Sequence, residues 1–106
     1  MIVTAYNNGQ HHPSGVGYGL RLSVKDRDKY FKKDWKEILL RLEGEVEEVL
    51  VNVSKPSFWN SSCRELISKD IGIWLIKNGK VPWPKGCPPK MRIEHLGGNR
   101  FKLEFL

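Results

Sequence analysis

Met91-Arg92-Ile93-Glu94-His95-Leu96-Gly97-Gly98-Asn99-Arg100-Phe101-Lys102-Leu103-Glu104-Phe105-Leu106 is the stretch on which the fold turns. Phe101, Leu103 and Phe105 alternate with charged residues at the period of two that places every second side chain on one face of a strand. Gly97-Gly98-Asn99 accepts the positive φ of a tight turn, so Met91 to Leu96 and Arg100 to Leu106 close into an antiparallel hairpin. A hairpin with one apolar face has to lay that face on a core supplied by the rest of the chain.

Upstream, Lys80 to Lys90 contains four prolines, each fixing φ and lacking a donor, which makes the segment an extended connector. Before it, Ile71, Trp74 and Leu75 stand at i, i+3 and i+4 on a helix that ends at Asn78-Gly79. Its start has two readings. Ser62-Cys63-Arg64-Glu65 is a capping box that opens one long helix, or Cys63 to Ile67 is a strand and Ser68 caps a shorter helix. Ile38 to Leu42 and Val46 to Val53 form a hairpin around Glu43-Gly44-Glu45. Ser23 caps a short helix through Phe31, and Tyr18 to Val24 alternates as a half-buried strand. Residues 1 to 6 read as a short edge strand, followed by a long polar loop, Asn7 to Gly17. The order predicts one α+β domain over residues 1–106, an antiparallel open barrel with two helices.

A chain of 106 residues with 40% hydrophobic and 28% charged residues has the proportions of one globular domain. Met1 to Tyr6 has no basic leader, and no apolar run approaches the ~18 residues needed to cross a bilayer. The expectation is a soluble chain with neither signal peptide nor membrane anchor. Two cysteines, Cys63 and Cys87, are too few for a disulfide framework, and a cytoplasmic location follows as the default. No cofactor and no metal is expected, since His11 and His12 diverge as neighbours and His95, Cys63 and Cys87 have no zinc-like spacing.

The net charge of +6 is unevenly distributed. No Asp or Glu occurs in Met1 to Lys25, Val49 to Arg64 or Ile71 to Ile93, while Glu43, Glu45, Glu47 and Glu48 cluster elsewhere. A surface facing phosphates needs this segregation, because a nearby carboxylate repels the nucleic-acid backbone. Within the acid-free windows, Asn7, Asn8 and Gln10 offer paired donors and acceptors for a base edge, and Lys55 and Arg64 suit phosphate or guanine. Asn60, Ser61 and Ser62 suit backbone phosphates, His11 and His12 suit phosphate contact or simple loop packing, and Trp59 suits a base or sugar; the Asn and Ser residues fit equally as ordinary turn and cap residues. Neither histidine has a carboxylate in its loop and no catalytic constellation is complete, so the reading is non-enzymatic. Gly15-Val16-Gly17-Tyr18-Gly19 opens a strand, not a helix, and lacks a Walker lysine, which argues against a nucleotide loop.

The order of features resembles the DNA-binding pseudobarrel of plant auxin-response and abscisic-acid-response transcription factors and of EcoRII-type restriction endonuclease effector domains. The matching features are Val3-Thr4-Ala5 before a Gly-rich arm, Gly19-Leu20-Arg21-Leu22 before a helix ending Tyr30-Phe31, and the strand pair around Gly44. They continue through Arg64-Glu65-Leu66, the helix Asp70 to Ile76 and the closing hairpin. Gly86-Cys87-Pro88-Pro89 stands where that family has a glycine-aspartate turn, and an arm carrying His11-His12-Pro13 is unusual for it. The resemblance implies that two arms, residues 6–17 and 54–64, grip duplex DNA. Two other function classes fit parts of the chain: a protein-interaction module docking through the Pro-rich segment 82–89, and an RNA-directed nuclease using His11 or His12.

Overall fold

In the computed structural model, which describes Met1–Leu106, the closing segment forms β6 (Lys90–Gly97) and β7 (Arg100–Phe105). They pair antiparallel with a register shift between His95 and Gly97. The remaining strands are β1 (Ile2–Asn7), β2 (Tyr18–Arg21), β3 (Glu37–Leu42), β4 (Glu48–Asn52) and β5 (Glu65–Ile67). All seven belong to one sheet in the order β4-β3-β7-β6-β1-β2-β5, which curls until β4 and β5 approach each other as a nearly closed barrel. The α+β open barrel is therefore as the sequence predicts. Five of its six pairings are antiparallel; β3 and β7 run parallel, so the sheet is mixed.

The first strand departs from expectation. β1 is internal, between β6 and β2, because the proline connector returns the chain alongside it: Ile2 faces Arg92 and Thr4 faces Arg21. Its alternation is weak because only Val3 and Ala5 point into the core. The edges fall instead on β4 and β5.

Helix α1 (Val24–Tyr30) starts at Ser23, whose Oγ accepts from the Asp26 N–H. The fork at residues 62–78 resolves to the strand β5 followed by α3 (Lys69–Lys77), with Ser68 Oγ accepting from the Asp70 N–H. Ser62 caps no helix. The third helix, α2 (Pro56–Trp59), is one turn beyond the two expected; Pro56 sits at its first position, where a preset φ and a missing donor cost nothing. No helix is long and apolar enough to cross a membrane.

Twenty buried hydrophobic residues form one core. At its centre Phe31, the C-cap of α1, stacks on Phe101 of β7 with ring centroids 4.6 Å apart, and Phe58 of α2 meets Phe31 edge-on at 5.4 Å. Trp74 of α3 stacks on Phe105 at 4.1 Å and donates its indole N–H to the Glu43 carbonyl at 2.8 Å. Both helices are thus moored to the same strand. On the outer surface Arg100 of β7 reaches across β3 to Glu48 of β4 at 2.6 Å.

Phe31→Ala removes the stacked ring and leaves a cavity under α1 and α2; urea denaturation should show a loss of about 3–5 kcal/mol. The Arg100 hydrogen bond holds the Glu48 carboxyl below its usual range. A group lowered on folding stabilises above its unfolded pKa, and that contribution is lost as pH falls through the folded value. Arg100→Ala should return Glu48 to the ordinary range in an NMR titration and flatten the acid limb of stability, with the difference shrinking at high salt.

Candidate nucleic-acid interface

The first arm, residues 6–17, joins β1 to β2 and is closed at its neck by the Asn8 N–H donating to the Gly17 carbonyl at 3.1 Å. Its amide side chains build its turns: Asn7 Oδ1 accepts from the Gly9 N–H, Asn7 Nδ2 donates to the Gln10 carbonyl, and Asn8 Oδ1 accepts from the Gln10 N–H. Gln10 itself has no side-chain partner and is exposed. His11 Nδ1 lies 2.8 Å from the hydroxyl of buried Tyr18, whose pKa burial raises, so the phenol keeps its proton at neutral pH. His12 Nδ1 sits 2.6 Å from Ser14 Oγ.

The glycine run has a packing role. Gly15 and Gly72 of α3 meet backbone to backbone: a Cβ on Gly72 would overlap the Gly15 carbonyl, and one on Gly15 would crowd the Lys69 carbonyl and Ile73 N–H. Gly15 also has φ +88, a conformation that L side chains rarely adopt. The arm is therefore seated on a helix along its glycine edge and presents Gln10, His11 and His12 outward.

The second arm, residues 54–64, joins β4 to β5 and is organised by a cation that the sequence reading assigned no role. Arg27 of α1 is only 5% exposed and donates through Nη1 to the Phe58 and Asn60 carbonyls at 2.9 and 2.6 Å, with Nε on Asp28 at 3.0 Å. Its guanidinium also lies 5.3 Å from the Trp59 ring centroid. Trp59 is half-buried with its N–H on the Val53 carbonyl, and Asn60 Oδ1 accepts from the Ser62 and Cys63 N–H groups. Arg64, at φ 56, donates to the Leu22 and Ser61 carbonyls at 2.7 and 2.8 Å. Trp59, Asn60 and Arg64 thus hold the arm in shape, while Lys55, Ser61 and Ser62 stand on its exposed surface.

The arms meet opposite ends of β2, one at Tyr18 and the other at Leu22, whose N–H donates to the Arg64 carbonyl. Four strand residues separate them, about 13 Å at the usual rise. On the outward face between them Arg21 lies over the Tyr6 ring at 5.1 Å and contacts Glu65 at 3.4 Å. Beside this face, between the first arm and the proline connector, runs a groove of about 440 Å3 lined by residues that include Tyr6, His11, Arg21, Trp83 and Lys85. The connector is held over β1 by the Ala5 N–H donating to the Pro89 carbonyl, and Trp83 packs edge-to-face on His11 at 4.8 Å. Of the candidate residues here, Arg21 lies outside the two arms and the Pro-rich segment that the sequence singles out, while Tyr6 falls in the first arm and Trp83 and Lys85 in the Pro-rich segment without being named as nucleic-acid contacts; the signal that could have joined them is that all four lie inside acid-free windows.

Carboxylates are sparse around this surface. Glu65, its side chain 11% exposed, faces Arg21, and Asp28 faces Arg27. No three His, Cys, Asp or Glu side chains converge as a metal site. No family model matches the chain, and neither a curated protein nor a solved structure is found to be similar to it.

Arg27→Met leaves the Phe58 and Asn60 carbonyls without their donor, so stability should fall by on the order of 2–3 kcal/mol. Hydrogen exchange should speed up most between residues 55 and 64, identifying Arg27 as the anchor of the second arm.

Proposed function

We propose that the chain binds nucleic acid, with duplex DNA as the substrate class, through the two arms and the outward face of β1 and β2 between them. The observation that carries this reading is the spacing of two shaped arms at either end of a four-residue strand with a cationic, aromatic face between them. Their separation of about 13 Å is comparable to the width of the B-DNA major groove, about 12 Å. Lys55 and Arg21 contact phosphates, and Gln10, His11, His12, Ser61 and Ser62 supply further polar contacts. The choice of DNA over RNA rests on the resemblance to the pseudobarrel family and on the match to that groove width. The reading is of a binding module, with no chemical step assigned.

Fluorescence anisotropy with a mixed-sequence duplex tests it. If about four phosphates are contacted, affinity should drop roughly a hundredfold between about 50 and 200 mM salt. Lys55→Ala and Arg21→Ala should each weaken binding several-fold and reduce the salt slope by about 1. Arg64→Ala is a poor probe, since its guanidinium holds the arm. Absence of duplex binding even at low salt would sink the proposal and turn attention to protein docking through segment 82–89.

A further inference from the structure

Of five concavities, only the groove beside β1 joins an acid-free lining to two cations, Arg21 and Lys85; the cavity at His12, Pro13 and Ile76 is also acid-free but holds no Lys or Arg. Three of those carry carboxylates: Glu45, Glu47 and Asp70 in one, Glu48 in the next, Glu94 and Glu104 in the third. The groove beside β1 carries none. Asn7 in its lining is engaged by the Gln10 carbonyl and Gly9 N–H, and His11 by the Tyr18 hydroxyl, but the groove's cations and one indole keep donors without protein partners. Lys85 has no ion pair, Arg21 spends only Nε on Glu65, and the Trp83 indole N–H is unmatched while those of Trp59 and Trp74 reach carbonyls.

Between Pro84 and Cys87 the chain makes a turn closed by the Cys87 N–H on the Pro84 carbonyl at 2.9 Å, with Gly86 at φ +81. That turn leaves the Lys85 and Gly86 N–H groups without backbone acceptors, and a Cβ on Gly86 would meet nothing. A ligand backbone can therefore come close. Two cations, free N–H donors and aromatic rings in one acid-free concavity match an acceptor-rich anion that carries a flat ring. At about 440 Å3 the groove falls in the range of single small-ligand sites, about 300–1,000 Å3, and is too small to admit a duplex. In paired DNA the base faces are stacked and cannot reach such rings.

From this we infer that the groove is a pocket for one unpaired nucleotide of a DNA strand, its phosphate on Lys85 and Arg21 and its base against Trp83 and Tyr6. The inference rests on the nucleic-acid reading above and narrows its substrate to duplexes with an extrahelical or junction nucleotide. Arg21 connects the two surfaces, since it lines the groove and also lies on the face between the arms.

The test compares, by anisotropy, a paired duplex with the same duplex carrying one bulged adenine, and repeats the titration with 2-aminopurine in the bulge. The bulged duplex should bind about tenfold tighter, the scale of one base stacked on an aromatic ring, and 2-aminopurine emission should be quenched on binding. Trp83→Ala should bring the ratio of the two affinities close to 1. Lys85→Ala, exposed on its turn and outside the core, should lower the same ratio without disturbing packing. Equal affinity of the wild-type protein for both duplexes, or a preference that survives both substitutions, overturns the pocket while leaving duplex binding in place. Displacement of the bulged duplex by micromolar free adenosine monophosphate would reassign the groove to free nucleotides and equally overturn the strand-borne proposal. Failure to bind either duplex overturns the nucleic-acid reading and this inference with it.

Discussion

Everything in this fold hangs on β7 having partners on both sides. It pairs antiparallel with β6 and parallel with β3, and so joins a two-stranded ribbon, β4-β3, to a four-stranded one, β6-β1-β2-β5. Without that parallel seam each ribbon would expose an edge and half of an apolar face, and small sheets of that kind are marginal in water. The same strand carries Phe101 and Phe105, on which Phe31 and Trp74 stack. Closure of the barrel and the placement of α1 and α3 are therefore one event.

The arms inherit their positions from this arrangement. The first lies against α3 through the Gly15–Gly72 contact, and the second is tied to α1 through Arg27. Trp74 and Phe31 fix those two helices to β7 in turn. A change in the core beneath either helix is thus transmitted to an arm through two contacts.

Local rules carried much of the framework in the sequence. Strict alternation at Phe101, Leu103 and Phe105, the serine caps at Ser23 and Ser68, and the Asn78-Gly79 stop all act within a few residues, and the structure follows them. What depended on distant partners was not legible. The internal place of β1 is set by a connector eighty residues downstream, and the parallel β3–β7 pairing leaves no periodic signature in either strand. The site divided in the same way. Acid-free windows marked the right segments, but residue type alone could not separate Lys55, free on the surface, from Arg64, committed to two carbonyls, or show that Asn7 and Asn60 spend their amides on their own loops. The groove was invisible because its walls, Tyr6 and Lys85, meet only in the folded chain.

Arg27 is counted in the chain's net charge of +6, yet its guanidinium is turned inward onto backbone carbonyls. The second arm consequently loses its conformational entropy during folding and not on meeting a ligand. A stiff arm cannot bend to suit grooves of different width, so under the proposed reading the duplex has to do the yielding. Discrimination between targets then comes from how readily each sequence deforms, in addition to which base edges it displays.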